Sequence, residues 1–139
     1  MSWVAEYVGL PALEHGRDRQ GCDCWGLARL VYREQLGIDL PSYSGDYAGT
    51  EERHEIAHLI GIARVDWPWR EVLHLAPFDM LLFRRGRLTC HIGVVIDARR
   101  MLHMDATDHA KVADFRTGRW ATRRTGAYRH VQAPMKVTS

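Results

Sequence analysis

Hydrophobic residues recur with two different periods along this chain. Up to about residue 63 they fall at helical spacing, and beyond it they cluster in short β-rich runs. A short helix is predicted over residues 2–8. The polar segment 15–21, with two glycines, reads as a loop. Asp23 has the character of an N-cap, opening a helix that runs to about Leu36 and stops at Gly37. Residues 40–49 form a second loop, after which Thr50 is placed to cap a helix to about Ala63.

The runs WREVLHL, FDMLLFRR, CHIGVVID, RMLHMDA and GAYRHVQ follow, rich in β-formers and split by turn-like stretches. Helices first and strands after predict an α+β fold, with a mostly antiparallel sheet packed on the early helices. With no internal repeat or linker, residues 1–139 read as a single domain.

Composition is that of an ordinary globular domain: 46% hydrophobic and 26% charged. No apolar run approaches the roughly 20 residues a membrane span needs, so no membrane insertion is expected. The opening MSWVAEYVGLPALEHG has no basic start followed by an apolar core. No signal peptide is expected, and a protein made in the cytoplasm would reach any outside site by another route.

Charge is spread unevenly. Residues 1–83 hold 7 Lys+Arg against 13 Asp+Glu, and residues 84–139 hold 12 against 4. Either the basic half faces an anionic partner or the two halves attract each other within one fold. No nucleic-acid motif accompanies the charge, so no nucleic-acid partner is expected. The three cysteines are an odd count, and Cys22 and Cys24 stand too close to pair comfortably, so reduced thiols are expected.

With Leu27 at zero on a helical wheel, Leu30, Val31 and Ala28 fall near roughly 300°, 40° and 100°. Cys24 falls near about 60°, inside that apolar arc, and Trp25 near about 160°, where partial exposure is expected. Cys24 therefore sits in the first turn on the packed face. Unpaired N–H groups and the helix dipole favour a thiolate there, which is the nucleophilic form. The other reading of Cys24 is a small buried hydrophobe. Cys22 and Cys90 are read as packing, and a one-residue Cys22–Cys24 spacing is too tight for the usual zinc pair.

A base must come from elsewhere. In HIGVVI, alternation puts His91, Gly93 and Val95 on one face. Gly93 leaves room for close approach beside His91. His103, in MLHMD, is placed to orient His91 through its second nitrogen, or else is a strand histidine with its tip in water. If 91–96 and 101–105 form a hairpin, the histidines share a face only if the loop is odd in length, such as Asp97-Ala98-Arg99, or carries a bulge.

RHEIAHLIGIAR contains H-E-x-x-H, a zinc-protease pattern. With Ile56 at zero, Leu59, Ile60 and Ala63 form a core stripe, while His54 and His58 fall near about 160° and 200°. The would-be ligands point away from the core, and Arg64 stands at the final ligand position of the longer motif, where it cannot bind zinc. No metal site or cofactor is expected.

Three motifs occur in order. They are D-C-x-G-L with an L-P about sixteen residues on, D-x-L-x-F in a strand, and H-I-G-V-V followed by a short turn and L-H. Together, from about Val8 to Asp114, they resemble the NlpC-type cell-wall cysteine endopeptidases. The wording GRDRQGCDCWGL…LGIDLP is most similar to the branch found in phage tails and phage-like gene transfer particles.

The resemblance implies a papain-like fold with Cys24 as nucleophile, His91 as general base and His103 as its orienting partner. Asp23, Trp25, Gly26 and Gly93 would support or line the substrate groove. The substrate implied is a peptidoglycan stem peptide, commonly cut between D-γ-glutamate and the diamino acid. Implied partners are phage-like tail proteins, with delivery on a tail to the cell wall or periplasm. Two departures stand out. Ala12 occupies the position where many members carry a tyrosine that contributes to the site, and His15-Gly16 replaces the usual glycine pair. A structural tail component with weak or no hydrolysis is the alternative.

Overall fold

A computed structural model describes residues 3–13, 17–40, 69–104 and 108–133. The helix expected over 50–63, with the H-E-x-x-H residues, lies outside the described residues. The N-terminal helix is shorter than expected, a single 3-10 turn over Trp3–Glu6.

The segment read as a loop over 15–21 is in part a ribbon: β1 (Arg17–Asp18) pairs antiparallel with β2 (Gly21–Cys22). Asp18 accepts the backbone N–H of Gln20 at 2.9 Å, which closes the turn. Helix α1 (Cys24–Val31) continues as a π-helical turn over Tyr32–Leu36. It stops at Gly37, whose φ of 68° is left-handed, the conformation a C-terminal cap requires.

One six-stranded antiparallel sheet follows, in the order β3-β8-β4-β5-β6-β7. Its strands are β3 (Trp69–Glu71), β4 (Met80–Arg85), β5 (Leu88–Val95), β6 (Arg100–Met104), β7 (Ala110–Asp114) and β8 (Arg124–His130). Of the run WREVLHL, 69–75, only β3 is strand, and Leu73 stands almost fully in solvent. Two elements were missed. β7, from AKVAD, breaks clean alternation at Ala113, and helix α2 (Gly118–Arg123) is too short for a helical period to show. The α+β class is as expected.

The pleat divides the core into two layers. Met80, Leu82, Ile92, Val94, Leu102 and Met104 join α1 residues Leu27, Leu30 and Val31 in the larger cluster. Leu81, Phe83, Val95 and Met101 join Phe115 and Trp120 in the smaller one. Each large apolar side chain buried here contributes about 1.5–3 kcal/mol relative to exposure.

An ion pair ties the start of β4 to β8 within the sheet. Arg129 donates to Asp79 through Nε at 2.7 Å and Nη2 at 2.8 Å, and Nη2 also reaches the His74 carbonyl. Asp79 is 1% exposed and also accepts the Ala76 N–H. This is the aspartate of D-x-L-x-F, and its work is structural. It joins the acidic and basic halves, whereas Arg99, Arg100 and Lys111 pair within the basic half.

Candidate active site

Asp23 opens α1 as predicted. Its backbone is extended, and its buried Oδ1 accepts the Gly26 N–H at 2.7 Å. The cap satisfies one of the donors a helix start leaves bare. Cys24 is thereby held in the first turn, where the helix dipole favours negative charge on sulfur. It keeps 8% of its surface, against 0% for Cys22 and 5% for Cys90. No disulfide joins the three cysteines.

Trp25 departs from expectation. It is 3% exposed, so it does not line an open groove. The wheel left it on an outer face, but α1 has no outer face: every residue of the helix except Arg29 is buried. The β1–β2 ribbon also contacts the helix, and Arg19 anchors that ribbon by bonding Glu34 of the following turn.

The histidine pair forms because of a turn. Asp97 Oδ1 accepts the N–H groups of Arg99 and Arg100, both at 2.9 Å, and Oδ2 pairs with the Arg100 guanidinium. This local chemistry holds a three-residue turn at Asp97-Ala98-Arg99, closed by Ile96 N–H to the Arg100 carbonyl at 2.8 Å. The register that follows is Gly93↔His103, Val94↔Leu102 and Val95↔Met101, the even-sum pairing required. His91 and His103 therefore point to the same face.

His91 Nε2 and His103 Nδ1 lie 3.0 Å apart, and the rings are 4% and 3% exposed. The reading of His103 as a strand histidine with a wet tip is thus excluded. For His91 to accept a proton at Nδ1, its Nε2 must carry the hydrogen and donate to His103 Nδ1. His103 then carries its own proton on Nε2. The close approach expected at Gly93 is made by Met101 of β6, whose side chain a Cβ there would strike.

The pair is boxed by aromatic rings. Trp120 of α2 stacks on His91 at 5.0 Å and 20° and meets His103 edge-on at 5.0 Å. Phe83 lies 5.0 Å from Trp120 and 6.2 Å from His91. The sequence reading missed Trp120. Its only signal was an apolar tryptophan in an otherwise polar stretch.

Alternation sets the histidines on the Trp120 side of the sheet, whereas Cys24 belongs to the cluster on the α1 side. The last described rung between β5 and β6 is Gly93↔His103. A bulge also interrupts β5 here, where the partners pass from Phe83↔His91 to Arg84↔Thr89. Helix α1 contacts both β5 and β6. At the Tyr-replacing position, Ala12 is partly exposed, forms a bridge with Cys22 and donates its N–H to the Asp108 carbonyl. Among the described residues no cluster of His, Cys, Asp and Glu could hold a metal ion.

The profile of the NlpC/P60 family matches residues 13–129. The murein DD-endopeptidase MepS/murein LD-carboxypeptidase of Escherichia coli is 24% identical over 129 residues, covering 93% of this chain and 60% of that protein. The chain thus spans less than two thirds of that relative's length. The NlpC/p60 domain of the peptidoglycan hydrolase SagA has a similar fold, with a TM-score of 0.58 at 20% identity over 89% of this chain and 90% of that one. A lipoprotein-like NLP/P60 protein of Staphylococcus aureus gives a TM-score of 0.66 at 21% identity, over 92% of this chain and 39% of that one. The family match covers most of the chain, and solved members share its fold: the chain belongs to the NlpC/P60 family.

Proposed function

We propose that this domain is a cysteine endopeptidase that hydrolyses amide bonds in peptidoglycan stem peptides. The observation that carries the reading is the buried His91–His103 hydrogen bond, on strands contacted by the helix that opens with Cys24. Relatives named as a murein endopeptidase and a peptidoglycan hydrolase support the substrate class.

In this reading Cys24 is the nucleophile and His91 Nδ1 its base. His91 takes the thiol proton, and the thiolate attacks the amide carbonyl carbon. Backbone N–H near Cys24 steadies the oxyanion, the imidazolium protonates the leaving amine, and water then releases the acyl group as a carboxylate. His103 keeps His91 in the needed tautomer. The bond cut would be that between D-γ-glutamate and the diamino acid. The test is mass spectrometry of digested muropeptides, which identifies the new amino terminus. A terminus elsewhere would reject that bond.

The phage-branch wording around Cys24 supports delivery on a phage or phage-like tail to the cell wall or periplasm. Detection of the chain in purified particles by mass spectrometry tests this, and its absence from them would refute it. Ala12 favours a second reading, a tail component with little hydrolysis, because the tyrosine that contributes to the site in many members is missing. Alkylation of Cys24 separates the two. A thiol that titrates like free cysteine, unchanged by His91→Ala, supports the inert reading.

A further inference from the structure

We infer that Trp120 is a positioning residue that holds the His91–His103 pair and stabilises the protonated form of His91. The inference rests on the reading of His91 as the base. It starts from the placement of one indole against both rings of the pair, at 5.0 Å from each. Trp120 is 7% exposed, and no backbone ladder holds it, since it projects from the six-residue helix α2.

Three physical consequences follow. First, an N–H···N bond between neutral imidazoles competes poorly with water, and the indole, with Phe83 beside it, covers the bond from solvent. Second, a near-parallel stack resists rotation of the His91 ring, so it fixes where the other nitrogen, Nδ1, points. Third, a protonated His91 is a cation lying over an aromatic face, which the ring quadrupole favours. The Arg119 guanidinium, 4.9 Å from the same indole, is the other cation this ring meets. His91 thus takes its support from an aromatic face on one side and a second histidine on the other.

The test compares Trp120→Leu, which keeps apolar bulk without a π-face, with Trp120→Phe, which keeps a smaller one. Nitrogen-15 labelling of histidine reports the His91 Nε2–H proton. Iodoacetamide alkylation across pH reports the Cys24 thiolate. Trp120→Leu is expected to lose the slowly exchanging Nε2–H signal and raise the apparent thiol pKa. It should lower kcat for a stem peptide about thirtyfold, the scale of a desolvated cation–π contact, with KM nearly unchanged. Trp120→Phe should recover most of each.

A folded Trp120→Leu protein with the wild-type Nε2–H signal and alkylation profile overturns the inference. If that variant fails to fold, Trp120→Met, which also lacks a π-face, takes its place: weakened readouts support the role, and wild-type readouts reject it. If wild type cleaves no stem peptide while the histidine and thiol readouts still follow Trp120, the proposed reaction fails and the positioning role stands.

Discussion

His103 Nδ1 sits 3.0 Å from His91 Nε2, with neither ring more than 4% exposed. A buried pair at this distance fixes one tautomer of each ring if His91 is to accept a proton at Nδ1. Removing His103 leaves the other tautomer open and the imidazolium without its acceptor. His103→Ala should therefore lower kcat about 100-fold with little change in KM, and His103→Asn should retain part of the lost activity. Steady-state kinetics on a stem peptide decide; equal loss in both variants would mean packing, not orientation.

The Asp79–Arg129 pair should matter to stability more than any surface pair. Arg129→Met leaves a buried carboxylate without its two charge-assisted bonds. The expected cost is about 3–5 kcal/mol, read from urea denaturation. By contrast, breaking Arg100–Asp97 through Arg100→Ala should cost under about 1 kcal/mol, since both side chains are largely exposed.

Asp23→Ala removes the bond to Gly26 N–H and should cost about 1 kcal/mol. It should also slow alkylation of Cys24 at neutral pH, because the first turn that favours the thiolate loosens. Asp23→Asn, which can still cap, should restore most of the stability.

Stability should fall in two steps on acidification. Burial holds the pKa of His130 below its ordinary 6.5. Its Nδ1 also accepts the Gln132 N–H at 3.1 Å, which requires a lone pair there. As pH falls through 6.5 the unfolded chain takes up this proton before the folded one, so the contribution present above that pH is progressively lost. Glu34 follows lower down. The hydrogen bond from Arg19 holds its pKa below the ordinary 4.5, so its contribution is present above that pH and fades as pH falls further. Urea midpoints at several pH values check this, and His130→Phe should abolish the first step while leaving the second.

Local chemistry carried the parts that were legible in the sequence. Asp23 and Gly37 marked the ends of the first helix because caps have side-chain and backbone requirements that few residues meet. Loop parity between β5 and β6 was readable as a condition, and Asp97 met it with bonds spanning only three residues. What was not legible depended on distant partners. The burial of Trp25 depends on tertiary packing around α1, which a helical wheel does not contain. Trp120 belongs to a six-residue helix too short to show a period, and its meaning lies in rings far away in sequence. Likewise, the aspartate of D-x-L-x-F was visible as a motif, but its arginine, fifty residues on, was not.

Cleavage of purified peptidoglycan by wild type and by Cys24→Ala tests the account most directly. Wild type should release peptides with a new amino terminus on the diamino acid, and Cys24→Ala should release none above background. Equal release by the two proteins would contradict it.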